Sequence, residues 1–137
     1  MNETVLALII YISWMLVLLM ILLFVRVRKL LSGVHKSSSF KPDGSDVSDF
    51  AIRLCRVHAN AYESFPIFAG LMLLFIALGQ TSISNDTAYY LIAARILQSL
   101  IHMISVSNNA VRLRFFFFFV QCVIAVYWIV KLLQINL

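Results

Sequence analysis

Charge is what this chain has least of. Only 12% of its 137 residues are Asp, Glu, Lys or Arg, whereas 62% are hydrophobic. A soluble domain ordinarily carries about a quarter charged residues, so an ordinary soluble core is excluded. Acidic side chains are the scarcer sign, six against eleven Lys and Arg. Such a basic balance can mark a nucleic-acid binder, but here the cations are tied to the ends of apolar runs. That placement argues against a nucleic-acid partner. Cysteine is limited to Cys55 and Cys122. Two isolated thiols exclude a disulfide framework and a clustered metal site, and each reads as a small buried apolar side chain.

What is present is apolar sequence in blocks. A spanning helix needs about 20 mostly apolar residues, and four segments qualify: roughly Thr4–Val25, Arg56–Gly79, Thr87–Val106 and Arg112–Gln134. Residues 1–137 are therefore read as one domain, an all-α bundle of four transmembrane helices. The first segment is a retained helix rather than a secretory signal. It opens on Asn2-Glu3, and its cations Arg26, Arg28 and Lys29 follow the apolar run instead of preceding it.

The connection of roughly residues 27–50 is flanked by Arg26, Arg28, Lys29, Lys36, Lys41, Arg53 and Arg56, and the third connection by Arg112 and Arg114. The second connection, Gln80–Asp86, and the N-terminus carry no Lys or Arg. The positive-inside rule then puts the first and third loops in the cytoplasm and both termini outside or in the lumen. The membrane would be the inner membrane of a bacterium or the endoplasmic reticulum of a eukaryote. The first loop, with its SSS and KPDGSD stretches, favours turns, and Ser48 or Asp49 is placed to cap the next helix. The other two loops are short, which makes helices two, three and four antiparallel neighbours.

The polar residues inside the spans carry the functional reading. In RLCRVHANAYESFPIF (53–68), Arg56, Asn60 and Glu63 are spaced four and three apart, on one helical face. Arg95, Gln98 and His102 on helix three are spaced three and four apart. In antiparallel helices, residues at equal depth have position numbers of constant sum. Glu63 with Arg95, Asn60 with Gln98, and Arg56 with His102 satisfy this rule together. Glu63 lies roughly 10 Å deeper than Arg56 at 1.5 Å per residue, so its carboxylate needs a partner to stay ionised. Arg95 is that partner by depth.

A buried Glu–Arg pair can simply hold helices together. That reading leaves unexplained why Arg53, Arg56, His58, Asn60, Gln98, His102, Arg112 and Arg114 gather at one end. Such a cluster suits a small anionic ligand bound beside an apolar one. Pro66 removes a backbone bond to Tyr62 and is placed to bend helix two beside this stripe. Beyond Glu63 the chain reads FPIFAGLMLLFIALG, with no ionisable group, so the polar site opens to one side only. A pocket fits better than a proton or ion pathway. The FFFFF run at 115–119 covers the whole helix circumference and reads mainly as lipid and helix contacts, with one or two members free to line an apolar groove.

These residues resemble a known family. RVHANAYESFPIF, with Arg56, Asn60, Glu63, Pro66 and Phe68 at the signature positions, is similar to helix two of the MAPEG family, membrane-associated proteins in eicosanoid and glutathione metabolism. The four-span plan, the polar first loop, Ala94-Arg95 and the basic start of helix four agree with it. The resemblance implies a homotrimer with glutathione as co-substrate between subunits at the cytoplasmic side. It implies Arg26 or Arg28, Arg53, Arg56, His58, Asn60 and Glu63 as its binding residues, with Arg95, Gln98 and His102 on helix three. An arginine at the start of helix four, Arg112 or alternatively Arg114, would stabilise the thiolate. The expected function is an integral membrane glutathione S-transferase acting on hydrophobic electrophiles or lipid peroxides, a detoxification role, with no metal. The alternative is a non-catalytic lipid- or thiol-binding protein of the same fold. Gln98 and His102 stand where several family enzymes carry tyrosines.

A thiol near pKa 8.5 becomes more nucleophilic at neutral pH beside a guanidinium, because the cation favours the thiolate. Arginine is too basic to take the proton itself, so its part is electrostatic.

Overall fold

A computed structural model of the chain describes residues 2–33 and 39–137. Lys36, Ser37 and Ser38 of the first loop lie outside these described residues. Four helices follow one another: α1 (Glu3–Leu31), α2 (Asp49–Ala77), α3 (Asn85–Ile104) and α4 (Asn108–Asn136), with a short 3-10 turn at Thr81–Ile83 before α3.

Side-chain caps set where the long helices begin. The Asn2 side chain accepts the Val5 N–H at 3.2 Å, Ser48 Oγ accepts the Ala51 N–H at 3.1 Å, and Ser107 Oγ accepts the Ala110 N–H at 3.3 Å. Each satisfies a donor that the first helical turn leaves open. Of the two capping residues expected for α2, Ser48 does the capping, and Asp49 sits in the first turn where its charge favours the helix dipole. At the other end of α2, Gly79 takes φ +66°, a left-handed value that lets the chain turn back. Gln80 N–H then reaches Phe75 O at 2.9 Å and Gly79 N–H reaches Ile76 O at 3.2 Å, closing the last carbonyls. The helix passes through Pro66 as a single element.

The helices alternate up and down. The starts of α1 and α3 meet where Asn2 Nδ2 donates to Thr81 Oγ1 (2.8 Å) and Thr4 N–H to Asn85 Oδ1 (3.0 Å). The start of α2 meets the end of α3 where Arg53 Nε donates to Met103 O at 3.0 Å. Trp128 near the end of α4 donates to Thr87 at the start of α3, at 2.8 Å. The basic loops therefore share one end of the bundle.

Two apolar clusters fill it. Tyr11, Phe68, Met72, Phe75, Leu91 and Trp128 join all four helices at the centre and toward the far end, with Phe75 and Trp128 edge to face at 5.8 Å. Leu18 and Leu22 of α1 pack on Leu54, Val57 and Ala61 of α2 nearer the basic end. In the first loop, Arg26 lies over the Phe40 ring. Asp43 accepts the Ser45 backbone N–H at 3.1 Å, which holds its carboxyl below the usual carboxylate range.

Three helices, α1, α2 and α4, are long and apolar enough to cross a membrane. The chain is a multi-pass integral membrane protein of all-α architecture. The expectation of four such segments is met by these three, and α3 falls short in composition rather than in spanning length. Its 20 residues have spanning length, but Arg95, Gln98 and His102 reduce its apolarity below that of the others. Every helix also starts before or runs beyond its apolar stretch, α2 by seven residues at its start. Capped polar turns extend a helix without adding hydropathy, so apolar runs understate helix length.

Candidate functional site

On α2 the expected face divides. Arg56 and Glu63 are exposed, together with Ala59, Tyr62 and Pro66, while Asn60 is half-buried and turned toward α3. At 3.6 residues per turn, Asn60 and Glu63 differ by about 60° around the axis, enough to put one in the helix seam and the other outside it.

Inside the seam lies a connected line of side chains. Arg95, only 1% exposed, donates from Nη1 to Asn60 Oδ1 at 3.0 Å, with its guanidinium 5.3 Å from the Phe68 ring centroid. Gln98 Nε2 donates to the same Asn60 oxygen at 3.2 Å. Gln121 of α4, fully buried, donates to Gln98 Oε1 at 2.9 Å and to Phe117 O at 2.8 Å. The Asn60–Gln98 rung expected from depth is present. The Glu63–Arg95 pair is not: among the described residues Arg95 bonds Asn60 instead, one turn nearer the basic end. The helix-angle argument gives the reason, since Glu63 lies outside the seam that holds Arg95.

This line fixes which way the amides point. Arginine has donors only, so Arg95 obliges Asn60 to turn its oxygen inward. Gln121 likewise holds the Gln98 oxygen. Asn60 Nδ2 is left as a donor on the other side, where a cavity of about 310 Å³ opens. Asn60, Gln98, His102 and Arg114 supply its polar wall, and Val111, Phe115 and Phe118 its apolar wall. A cavity with N–H donors and a guanidinium on one side and aromatic rings on the other fits an anionic head joined to an apolar group.

The other expected residues fall into three groups. Arg114 is half-buried in the cavity wall, whereas Arg112, two residues earlier, is exposed and outside it. Arg56 and Glu63 face outward at similar angles on α2, and His58 is half-buried away from the cavity wall. Arg53 bonds the Met103 carbonyl near the end of α3, a capping role. Arg26 and Arg28 lie on the α1 side of α2, away from this cavity. Arg26 points to Lys41 O at 3.5 Å and Cys55 Sγ at 4.0 Å, and Arg28 lines a separate recess.

Gln121 was missed in the sequence. It stands in FFFFFVQCVIA, a lone amide in an apolar run, and the depth rule applied to α3 and α4 pairs it near Gln98. Replacing it with leucine should leave the buried Gln98 oxygen without a donor, at a cost of about 1–3 kcal/mol. Thermal unfolding in detergent checks the loss, and Gln121→Met, which keeps the length but lacks the N–H, should not restore it.

The pattern of the MAPEG family matches residues 4–134, nearly the whole chain. The chain belongs to the MAPEG family. No curated protein and no solved structure matches it. Membership places it among membrane proteins of the glutathione-transferase and eicosanoid-metabolism kind. Two signature side chains of this MAPEG protein, Asn60 and Phe68, are the oxygen and the ring that meet the buried Arg95.

Proposed function

We propose that this MAPEG protein is an integral membrane glutathione S-transferase that joins glutathione to hydrophobic electrophiles at its basic end, which faces the cytoplasm. The observation that carries the reading is the cavity in which Arg114, His102 and the inward-held amides face Phe115 and Phe118. Donors and cation suit the carboxylates and thiolate of the tripeptide, and the aromatic wall suits an apolar second substrate. In the reaction the thiolate sulfur forms a bond to the electrophilic carbon and the leaving group departs with the bonding pair. Arg114 would favour the thiolate by charge, since a guanidinium stays protonated at neutral pH. With a lipid hydroperoxide, the thiolate would attack a peroxide oxygen and break the O–O bond to release the lipid alcohol, and a second glutathione would convert the resulting sulfenic acid to the disulfide and water.

Arg56 and Glu63 complete the proposal as residues presented to a neighbouring copy. Their exposed face on a membrane helix supports a homotrimer with glutathione held between subunits, because a charge at that depth calls for a partner. In that arrangement Arg26 or Arg28, Arg53 and His58 would serve a neighbour's site rather than their own.

The test uses the purified, detergent-solubilised protein. Mixing it with glutathione should produce the ultraviolet absorbance of a thiolate, and an aryl halide should then be consumed. Absence of both, with no thermal stabilisation by glutathione, overturns the enzyme reading.

A further inference from the structure

The cations at the end of α1 have a recess of their own. Val25, Arg28, Lys29 and Ser32 form one stripe on the last turns of α1, and with Val47 and Ser48 before α2 they enclose about 220 Å³. Among the described residues two cations line this space, and the nearest acids in sequence, Asp46 and Asp49, stand outside its lining. Neither the Arg28 nor the Lys29 side chain bonds another described residue, and residues 34–38 contain no carboxylate. Both hydroxyls are already engaged, Ser32 Oγ donating to Lys29 O at 2.8 Å and Ser48 Oγ accepting from Ala51 N–H at 3.1 Å. The binding power of the recess therefore lies in its two positive charges.

Its depth and flanks say what those charges meet. The recess directly follows the apolar run of α1, at the level where hydrocarbon gives way to headgroups. Arg28 stands between Phe24 and Leu31, one turn to either side, which are 65% and 81% exposed. Apolar side chains exposed beside paired cations match a molecule with a negative head and hydrocarbon tails. A zwitterionic head would bring its own cation against these two positive charges.

We propose that this recess binds the phosphate of an anionic glycerophospholipid, with its acyl chains lying along the exposed Phe24 and Val27 side of α1. The site is separate from the cavity between α2, α3 and α4, and it leaves Arg26 as the α1 cation for a neighbour's glutathione site. Juxtamembrane cations of this kind favour anionic lipid, and the pair here should prefer phosphatidylglycerol over phosphatidylcholine about thirtyfold.

The full chain, purified in a neutral detergent, is equilibrated with each lipid and examined by native mass spectrometry and thermal unfolding. Wild type should retain phosphatidylglycerol preferentially and be stabilised by it, less so at high salt because screening weakens exposed charge contacts. The double variant Arg28→Gln/Lys29→Gln should lose the preference. Arg112→Gln, which removes an exposed cation at the same end of the bundle, should keep it. Equal retention of both lipids by wild type overturns the proposal, as does equal loss in the Arg112→Gln protein. Displacement of the lipid by millimolar inorganic phosphate would assign the recess to free phosphate and also overturn it. If circular dichroism shows that the double variant does not fold, the wild-type lipid comparison decides alone.

Discussion

Replacing Arg114 with alanine is expected to abolish the glutathione thiolate band and lower the conjugation rate on the order of 10²-fold. Arg112→Ala should leave both close to wild type. The two arginines are separated by one residue on α4, but only Arg114 reaches the cavity wall. A preformed cation beside developing negative charge stabilises it and needs no rearrangement during the reaction. Arg114→Lys keeps the charge but not the planar fork, so it should recover part of the thiolate and little of the rate. The measurement is stopped-flow ultraviolet absorbance beside steady-state conjugation. The reverse ranking, with Arg112 essential and Arg114 dispensable, would move the chemistry out of this cavity and onto the outer face of α4.

The second large effect concerns Arg95. Arg95→Met keeps much of the side chain's length and apolar contact with Phe68 but removes the donor that holds Asn60 Oδ1. Hydrogen bonds to a charged group are worth about 1.5–3 kcal/mol, so losing the alignment of Asn60 should weaken glutathione binding roughly 10- to 100-fold. Isothermal titration or a thermal-shift series with glutathione reads this directly. Asn60→Asp separates alignment from helix glue. It gives Arg95 a carboxylate at the same place, so a purely structural role predicts unchanged or higher stability and unchanged binding. A site that needs the Asn60 N–H donors predicts retained folding with glutathione affinity lowered at least tenfold, about 1.4 kcal/mol.

The four helices and their alternation were legible because apolar blocks and short turns are dictated by the bilayer and by chain length. The basic end was legible for the same reason, since cations gather where spans stop. Depth was legible too: Asn60 and Gln98 meet as antiparallel counting requires. Angle was not. Spacing of three and four residues places Arg56, Asn60 and Glu63 on one broad face, but a seam between packed helices is narrower than that face. The 60° between Asn60 and Glu63 decides which one Arg95 meets. Arg112 and Arg114 pose the same problem in sharper form, because a turn whose length shifts the register by one residue exchanges inside for outside. Gln121 escaped notice because it is alone, and its meaning comes from α3.

The lower apolarity of α3 bears on how the bundle is assembled in a cell. Side chains that make α3 the least apolar helix are the ones that it turns inward: Arg95 to Asn60, Gln98 to Asn60 and Gln121. Before those contacts exist, each would face hydrocarbon or drag the segment back to water. Its settled place in the bilayer thus depends on α2, already synthesised, and on α4, which follows it. Insertion of α3 and closure of the polar line are therefore expected to go together, which would make the cavity's polar wall a mark of completed assembly.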